Sequence, residues 1–465
     1  MESNKSNGLN RRQFLGYSAL GLAGLTILPS WALQSGVRIA PSDRVVIGII
    51  GLGQQGLIDF RSYQLVPGVQ IAAGCDVDSN KRIRFKNRIT AWQKEQNVPQ
   101  RCDTYEFYQD MINRQDIDAI HITTPDHWHA LTLIHACQAK KDVYVQKPLS
   151  YTITESIAMV KAVRENNCVV QVGSQQRSGK EFQQAMSIVR SRKLGDVETI
   201  WVRLGANPGV NYPYPQPFAY PEEPVPAELN FNQWMGPLND PKIHYNHEIC
   251  PPISINPEKN ERDTITGGWA NWRYYREVGN GFTADWGTHM FDIANAAIGM
   301  DGLGPVEYIP MGYQGTERPT LKYQNGIVMT EQSFERPDAP VRNGRVMDGQ
   351  GISFNCTKGW VKVARGYIGC SDPSLLVKEE LTDAAQYEVS SPHAQNFIDC
   401  VRSRKNPIAP IEAGASSVRI CLLTNIAHEL QRPVKWNPAT LSFVDDKEAA
   451  NHRLYHYERR KAFSI

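Results

Sequence analysis

No charge of either sign dominates this chain, no apolar run is long enough to hold it permanently in a bilayer, and no cysteine spacing frames a fold. Each absence excludes something. There are 50 Lys and Arg against 48 Asp and Glu in 465 residues; the first 32 hold three of the bases and one of the acids, so 47 of each remain beyond them. A chain so balanced, without a basic stripe, is no partner for nucleic acid or for an anionic membrane surface. A small neutral ligand suits it better. The nine cysteines are scattered and odd in number, so they read as small core residues rather than as a disulfide frame or a metal cage. Repeats and low-complexity tracts are also missing, and over four hundred residues exceed one ordinary core, which implies two domains.

The apolar stretch nearest the start follows Asn10-Arg11-Arg12-Gln13-Phe14-Leu15 and ends at Leu28. It is too short and too rich in glycine for a stable membrane anchor. Ser30-Trp31-Ala32 then offers small residues for cleavage. Arginine pair, apolar core and cut site in that order resemble a twin-arginine export signal, the route of proteins that fold and load a cofactor before crossing. Residues 1–32 are therefore expected to be removed and 33–43 to be a linker. No cysteine near the cut site can carry a lipid, which makes the expected mature chain soluble in the periplasm.

What is present begins at Arg44 to Ile50, a hydrophobic run that leads into Gly51-Leu52-Gly53-Gln54-Gln55-Gly56; a second such run ends at Asp76. This is the dinucleotide fingerprint in its strand-to-helix setting. Gly51 permits the tight turn, Gly53 lets the backbone approach a pyrophosphate, and Gly56 lets helix pack on strand. Helix amides then face the phosphates. Asp76 stands where a carboxylate accepts both ribose hydroxyls and repels a 2′-phosphate, which favours NAD(H) as the cofactor.

From residue 44 to 172 strands near Arg44–Ile50, Val69–Cys75, Ile117–Ile122, Asp142–Val145 and Cys168–Val172 alternate with helical patterns such as His127–Ala139 and Thr152–Glu165. Alternation of this kind specifies an α/β class, a Rossmann doubly wound parallel sheet. Residues 173–430 change rhythm. Runs at Asp196–Leu204, Val306–Met311, Ile327–Phe334, Gly351–Asn355 and Trp360–Ala364, with turns such as Asn325-Gly326, predict an α+β domain with an open, mainly antiparallel sheet. Helices are expected over Ser391–Ser403 and Ala415–Leu430, then a polar tail over 431–465. Residues 207–226 carry seven prolines with Tyr212, Tyr214, Phe218 and Tyr220. Such density forbids helix and interior strand; the segment is either a lid whose aromatic faces stack on a sugar or a strap packed over the domain junction.

Three polar clusters fall at strand ends, where open sheets place ligands. Thr123-Thr124-Pro125-Asp126-His127-Trp128-His129 is either a ligand loop or a capped helix start. Gln146-Lys147-Pro148 fixes a lysine between a buried strand and a proline. Gly279 to Asp292 contains Asp285 and His289, four apart and so on one face of a helical turn. Alcohol oxidation needs a base for the hydroxyl proton, and histidine is the side chain nearest neutrality. The carboxylate can orient it or grip a neighbouring hydroxyl. A metal on Asp285, His289 and Asp292 is set aside, for cysteine ligands and a two-histidine helix motif are absent.

These motifs, with Val172-Gly173-Ser174-Gln175-Gln176-Arg177 and His393-Ala394-Gln395-Asn396-Phe397, resemble the Gfo/Idh/MocA oxidoreductase family and an exported branch of it over nearly the whole mature chain. The resemblance implies Lys147, Asp285 and His289 as the catalytic set. It also implies NAD contacts from Gly51, Leu52, Gly53, Gln54, Gln55, Gly56, Asp76, Thr124, Pro125, His129, Gln146, Lys147 and Gln175. Two positions depart from the family's pattern: Gln146 replaces its glutamate and Asp126 its asparagine. The expected function is NAD(H)-dependent oxidation of a secondary hydroxyl on a sugar, glycoside or cyclitol, with the nucleotide retained after export. Two alternatives stand beside it, a redox-neutral glycosidase or lyase working through a transient keto-sugar, and a non-catalytic sugar sensor. By resemblance the chain is a homo-oligomer.

Overall fold

The computed structural model describes residues 44–205, 213–253, 255, 269–336, 341–342, 345–346, 349–377 and 392–463. The expected export signal and linker, and Tyr212 of the proline-rich segment, lie outside the described residues.

Strands with no polar face must be covered on both sides, and the first sheet obeys this. Val45–Ile50 (β1), Val69–Cys75 (β2), Asp103–Tyr105 (β3), Ala119–Ile122 (β4), Asp142–Val145 (β5) and Val170–Val172 (β6) pair in parallel in the order β3-β2-β1-β4-β5-β6. The helices Gln54–Gln64, Ser79–Glu95, Asp126–Gln138 and Ile153–Asn166 alternate with them. Local chemistry sets their starts. Asp78 accepts from the amides of Asn80 and Lys81 at 2.8 and 3.2 Å, and Thr152 with Glu155 forms a capping box. Strand order reverses between β1 and β4, so the crevice at their carboxyl ends is the expected ligand position. Helix Ser79–Glu95 and β3 go beyond the sequence reading; that helix buries only Arg84, Phe85, Ile89 and Gln93, too few for a clear apolar stripe.

The second sheet comprises Val197–Arg203 (β7), Glu307–Ile309 (β8), Thr320–Lys322 (β9), Val328–Glu331 (β10), Gly351–Cys356 (β13), Gly359–Ala364 (β14), Tyr367–Cys370 (β15), Val434–Asn437 (β16) and Ser442–Phe443 (β17); Val341–Arg342 (β11) and Arg345–Val346 (β12) pair separately. Its order is β15-β14-β13-β7-β10-β9-β8-β16-β17. All neighbours run antiparallel except β7 and β10, which are parallel. No hairpin links those two, so nothing local fixes their relative direction. The expected polar tail is also corrected: β16 extends the sheet through β8, Trp436 is buried, and Leu454 is fully buried.

One apolar core runs from β4–β6 through the helices Gly287–Ala297 and Ile411–Leu430 to the inner face of the second sheet. Inside it Arg177 grips Asp292 with two bonds of 2.6 and 2.9 Å, both side chains 1% exposed, and Ser417 donates to the same carboxylate at 2.9 Å. This is the structural use of Asp292. Eight of the nine cysteines are buried and Cys356 is half-buried.

The described part of the proline-rich segment is a strap. Tyr214 is buried and lies flat on His428 with centroids 3.6 Å apart, while Phe218 and Tyr220 pack edge-on against Tyr275. None of the three lines the main cleft. Tyr214 is thus used up by the fold, and Phe218 and Tyr220 are half-buried against Tyr275 away from the cleft. The strap instead meets Gly281, whose φ of +71° and contact with Pro213 and Pro215 leave no space for a side chain.

Candidate active site

A cleft opens at the β1/β4 switch point. One end is built of backbone. Gly51 adopts φ +89°, and a Cβ there would lie 2.7 Å from the Thr123 carbonyl carbon. At Gly56 a Cβ would meet the Gly51 oxygen at 2.3 Å, whereas one at Gly53 would meet nothing within 4 Å. Gly53 therefore leaves the start of helix Gln54–Gln64 open to the cleft. That start has neither a side-chain cap nor an acid in its first turn, which suits an anion held by free amides.

Asp76 lines the same end with Lys81. Its carboxylate accepts from the amides of Leu52 and Asp78 at 2.8 and 3.0 Å, so the acid is fixed beside the glycine turn with lone pairs to spare for hydroxyls. Thr124 Oγ1 is buried in the wall without a hydrogen-bond partner. Open amides, an anchored acid and an orphaned hydroxyl fit a dinucleotide. Gln54, Gln55, Pro125 and Gln146, also expected as NAD contacts, line the same wall. Leu52 and Gly56 serve from behind, the first through its amide and the second through close packing.

Two expected contacts are corrected. His129 does not line the cleft; it is buried with Nδ1 2.8 Å from the Pro148 oxygen and Nε2 2.9 Å from the Thr124 oxygen. Burial takes its pKa down to about 4, and a neutral ring, with a single N–H, donates to one of these two carbonyls. Gln175 is likewise off the wall and donates to Tyr144 at 3.2 Å.

The other end is built of charged side chains. Lys147 Nζ donates to Asp285 Oδ1 at 2.7 Å and to the Asp285 carbonyl at 2.8 Å. Arg273 stands 3.8 Å from the same Oδ1 and stacks over Trp272 at 4.6 Å. Burial pushes the Asp285 acid up, but Lys147 and Arg273 outweigh it and hold the group below its usual range. Asp126, 3% exposed at the start of helix Asp126–Gln138, shows the opposite balance. Burial raises it to about 7, with Arg273 and Lys147 opposing and Asp285 adding to the rise. Two carboxyls in one cleft thus hold different protonation states near neutrality.

Asp285 and His289 do not share one helix. Gly281–Asp285 ends at Trp286, and Gly287–Ala297 begins a new one. His289 is consequently set back, 5% exposed and off the cleft wall. Its Nε2 faces Arg365 Nη2 at 3.4 Å, and its Nδ1 has no partner. Burial first, then Lys147 and Arg365, drive its pKa well below normal and keep the ring neutral.

The sequence reading missed Arg273, though Trp269-Ala270-Asn271-Trp272-Arg273 was a signal, with two tryptophans just ahead of a cation that stacks over both. It also missed Asp59, whose only signal was a position four residues beyond Gln55 on the fingerprint helix.

Fold and site together define a dinucleotide-binding α/β protein with a charged corner at the end of its cleft. The family described as "Oxidoreductase family, NAD-binding Rossmann fold" matches residues 45–174, and its "C-terminal alpha/beta domain" matches residues 342–465. The chain belongs to this family, Gfo/Idh/MocA, and its first domain is an NAD-binding Rossmann domain. It is 29% identical over 154 residues to the "Uncharacterized oxidoreductase YrbE" of Bacillus subtilis, covering 33% of this chain and 42% of that protein. It is 28% identical over 208 residues to a "Glycosyl hydrolase family 109 protein" of Shewanella pealeana, covering 41% and 44%. The chain thus spans less than half the length of these curated relatives. Among solved structures, the WlbA dehydrogenase of Bordetella pertussis, in complex with NADH and UDP-GlcNAcA, shares the fold at TM-score 0.55 and 15% identity, covering 85% of this chain and 99% of that one.

Proposed function

We propose that this protein is an NAD(H)-dependent oxidoreductase acting on a secondary hydroxyl of a sugar, glycoside or cyclitol. The observation that carries the reading is the Lys147–Asp285 pair, 2.7 Å apart on the wall of a cleft that begins at the glycine cradle. A bound nicotinamide supplies a hydride acceptor. Lys147 steadies negative charge developing on the reacting oxygen, and Asp285 holds Lys147 in place and accepts from an adjacent hydroxyl. His289 takes the hydroxyl proton at Nε2, the atom now facing Arg365, so Arg365 must withdraw for the base to work.

Asp126 favours a second reading, redox-neutral cleavage, as does the name of the Shewanella relative. Elimination next to a transient ketone needs a group to take a carbon-bound proton, and a buried carboxyl near 7 on the same wall is suited to it. Free aglycone with deuterium taken up from heavy water would establish cleavage; a keto-sugar accumulating with every bond intact would establish the dehydrogenase.

Export by the twin-arginine route belongs to the same proposal. An exported enzyme without a nucleotide pool to draw on must retain its cofactor and regenerate it in place. Changing Arg11 and Arg12 to Lys should trap the chain inside the cell, and unimpaired export would remove this part. Pairing through the second sheet, where Trp201 and Trp360 are 40% and 37% exposed, predicts a dimer or larger assembly by light scattering. The central experiment is to purify the protein gently, denature it, identify the nucleotide released, and screen glycosides by mass. Protein that is empty and refuses NADH in calorimetry refutes the proposal.

A further inference from the structure

Two amides on the cleft wall, Gln55 at the glycine turn and Gln146 before Lys147, are held from behind by one carboxylate. Asp59, 7% exposed on helix Gln54–Gln64, accepts from Gln55 Nε2 at 2.7 Å through Oδ1 and from Gln146 Nε2 at 2.6 Å through Oδ2. His121 Nε2 lies 3.0 Å from the same Oδ2, and the Tyr63 hydroxyl lies 2.8 Å from His121 Nδ1. Proton order follows from donor chemistry. The Tyr63 hydroxyl donates to Nδ1, Nε2–H donates to Asp59, and a carboxylate that only accepts forces both glutamines to point their NH₂ ends at it. Their carbonyl oxygens are the ends left for other partners. That of Gln146 takes the Lys147 amide at 3.3 Å, in space that exists because a Cβ on Gly173 would lie 2.4 Å from it.

We propose that Asp59 is a cofactor-positioning residue: it locks Gln55 with its acceptor oxygen left for the hydroxyl and amide donors of a bound dinucleotide, and through Gln146, whose oxygen takes the Lys147 amide, it holds the Lys147 main chain in register. The inference rests on the dinucleotide reading above. It also accounts for the amide at position 146, because the negative charge sits one hydrogen bond further back, on Asp59.

The test is NADH binding to the full chain by titration calorimetry, with melting temperature measured alongside. Asp59→Asn should weaken NADH about tenfold or more, the loss expected when charge-assisted bonds go and the amides are free to flip. Gln146→Glu sets a second carboxylate against Asp59 and should cost at least as much. The double variant lets an Asn amide donate to a Glu carboxylate and should recover most of the binding lost by Gln146→Glu. Should Asp59→Asn fold poorly, Gln55→Met and Gln146→Met each remove one amide without stranding a new charge, and each should weaken NADH several-fold. Wild-type affinity in Asp59→Asn, a double variant no tighter than Gln146→Glu, or wild-type affinity in both Met variants overturns the inference. Wild-type protein that binds no NADH would instead overturn the functional reading beneath it.

Discussion

The two ends of the cleft are made of different materials. At the glycine end, backbone amides and space do the work, and Asp76 is pinned by main-chain donors. At the far end Lys147 and Arg273 act on the charge states of Asp285 and Asp126 across segments far apart in sequence. On the proposed function, binding and chemistry fall to separable groups. A substitution at one end should leave the other largely intact.

Lys147→Met tests this separation with the largest expected effect. Turnover should fall roughly a thousandfold or more, while calorimetric NADH binding stays within a few-fold of wild type. Comparable loss of both would abolish the distinction. Gly53→Val is the reverse experiment. Because a Cβ there meets nothing within 4 Å, the chain should fold with an unchanged melting temperature, yet the added branches occupy the cradle. NADH should weaken on the order of 10–100-fold, the worth of one or two bonds to a charged phosphate.

Asp126→Asn probes the charged end by pH. In the folded chain Asp126 is neutral up to about 7, whereas the unfolded chain ionises it near 4. The fold therefore binds the extra proton between those values, and its stability declines as pH rises through that window. The Asn variant should lack this decline, melting higher than wild type at pH 8 and alike at pH 3.5. Identical pH dependence in the two proteins would show that Asp126 does not titrate as described. The smallest effect is expected from Arg365→Met. Removing a cation 3.4 Å from His289 should raise the imidazole pKa and move any activity limb it controls to higher pH, while NADH affinity stays put.

The same contrast explains what could be read from residues alone. The glycine cradle, Asp76 and β1, β2 and β5 are products of local spacing and apolar runs, and their positions follow from the sequence. The charged end is not local. A continuous helix through Asp285 and His289 is the natural reading of a four-residue spacing, yet Trp286 separates two short helices and sets His289 back. Asp59 meets Gln146 across 87 positions, and no periodicity announces such a pair. The parallel match of β7 with β10 likewise depends on what lies between them, not on either strand.

The segment that looked like a solvated tail has a practical consequence. β16 is paired into the far sheet, and 22 residues beyond its end at Asn437 Arg459 reaches the buried Glu155 of the Rossmann half at 2.8 Å, while Arg460 grips Asn232. The last stretch of chain is thus a seam sewn through both halves. Clipping behind Leu430 would strand a carboxylate inside the nucleotide-binding half and bare an edge strand on the other, so intact mass should be checked before any preparation is judged inactive.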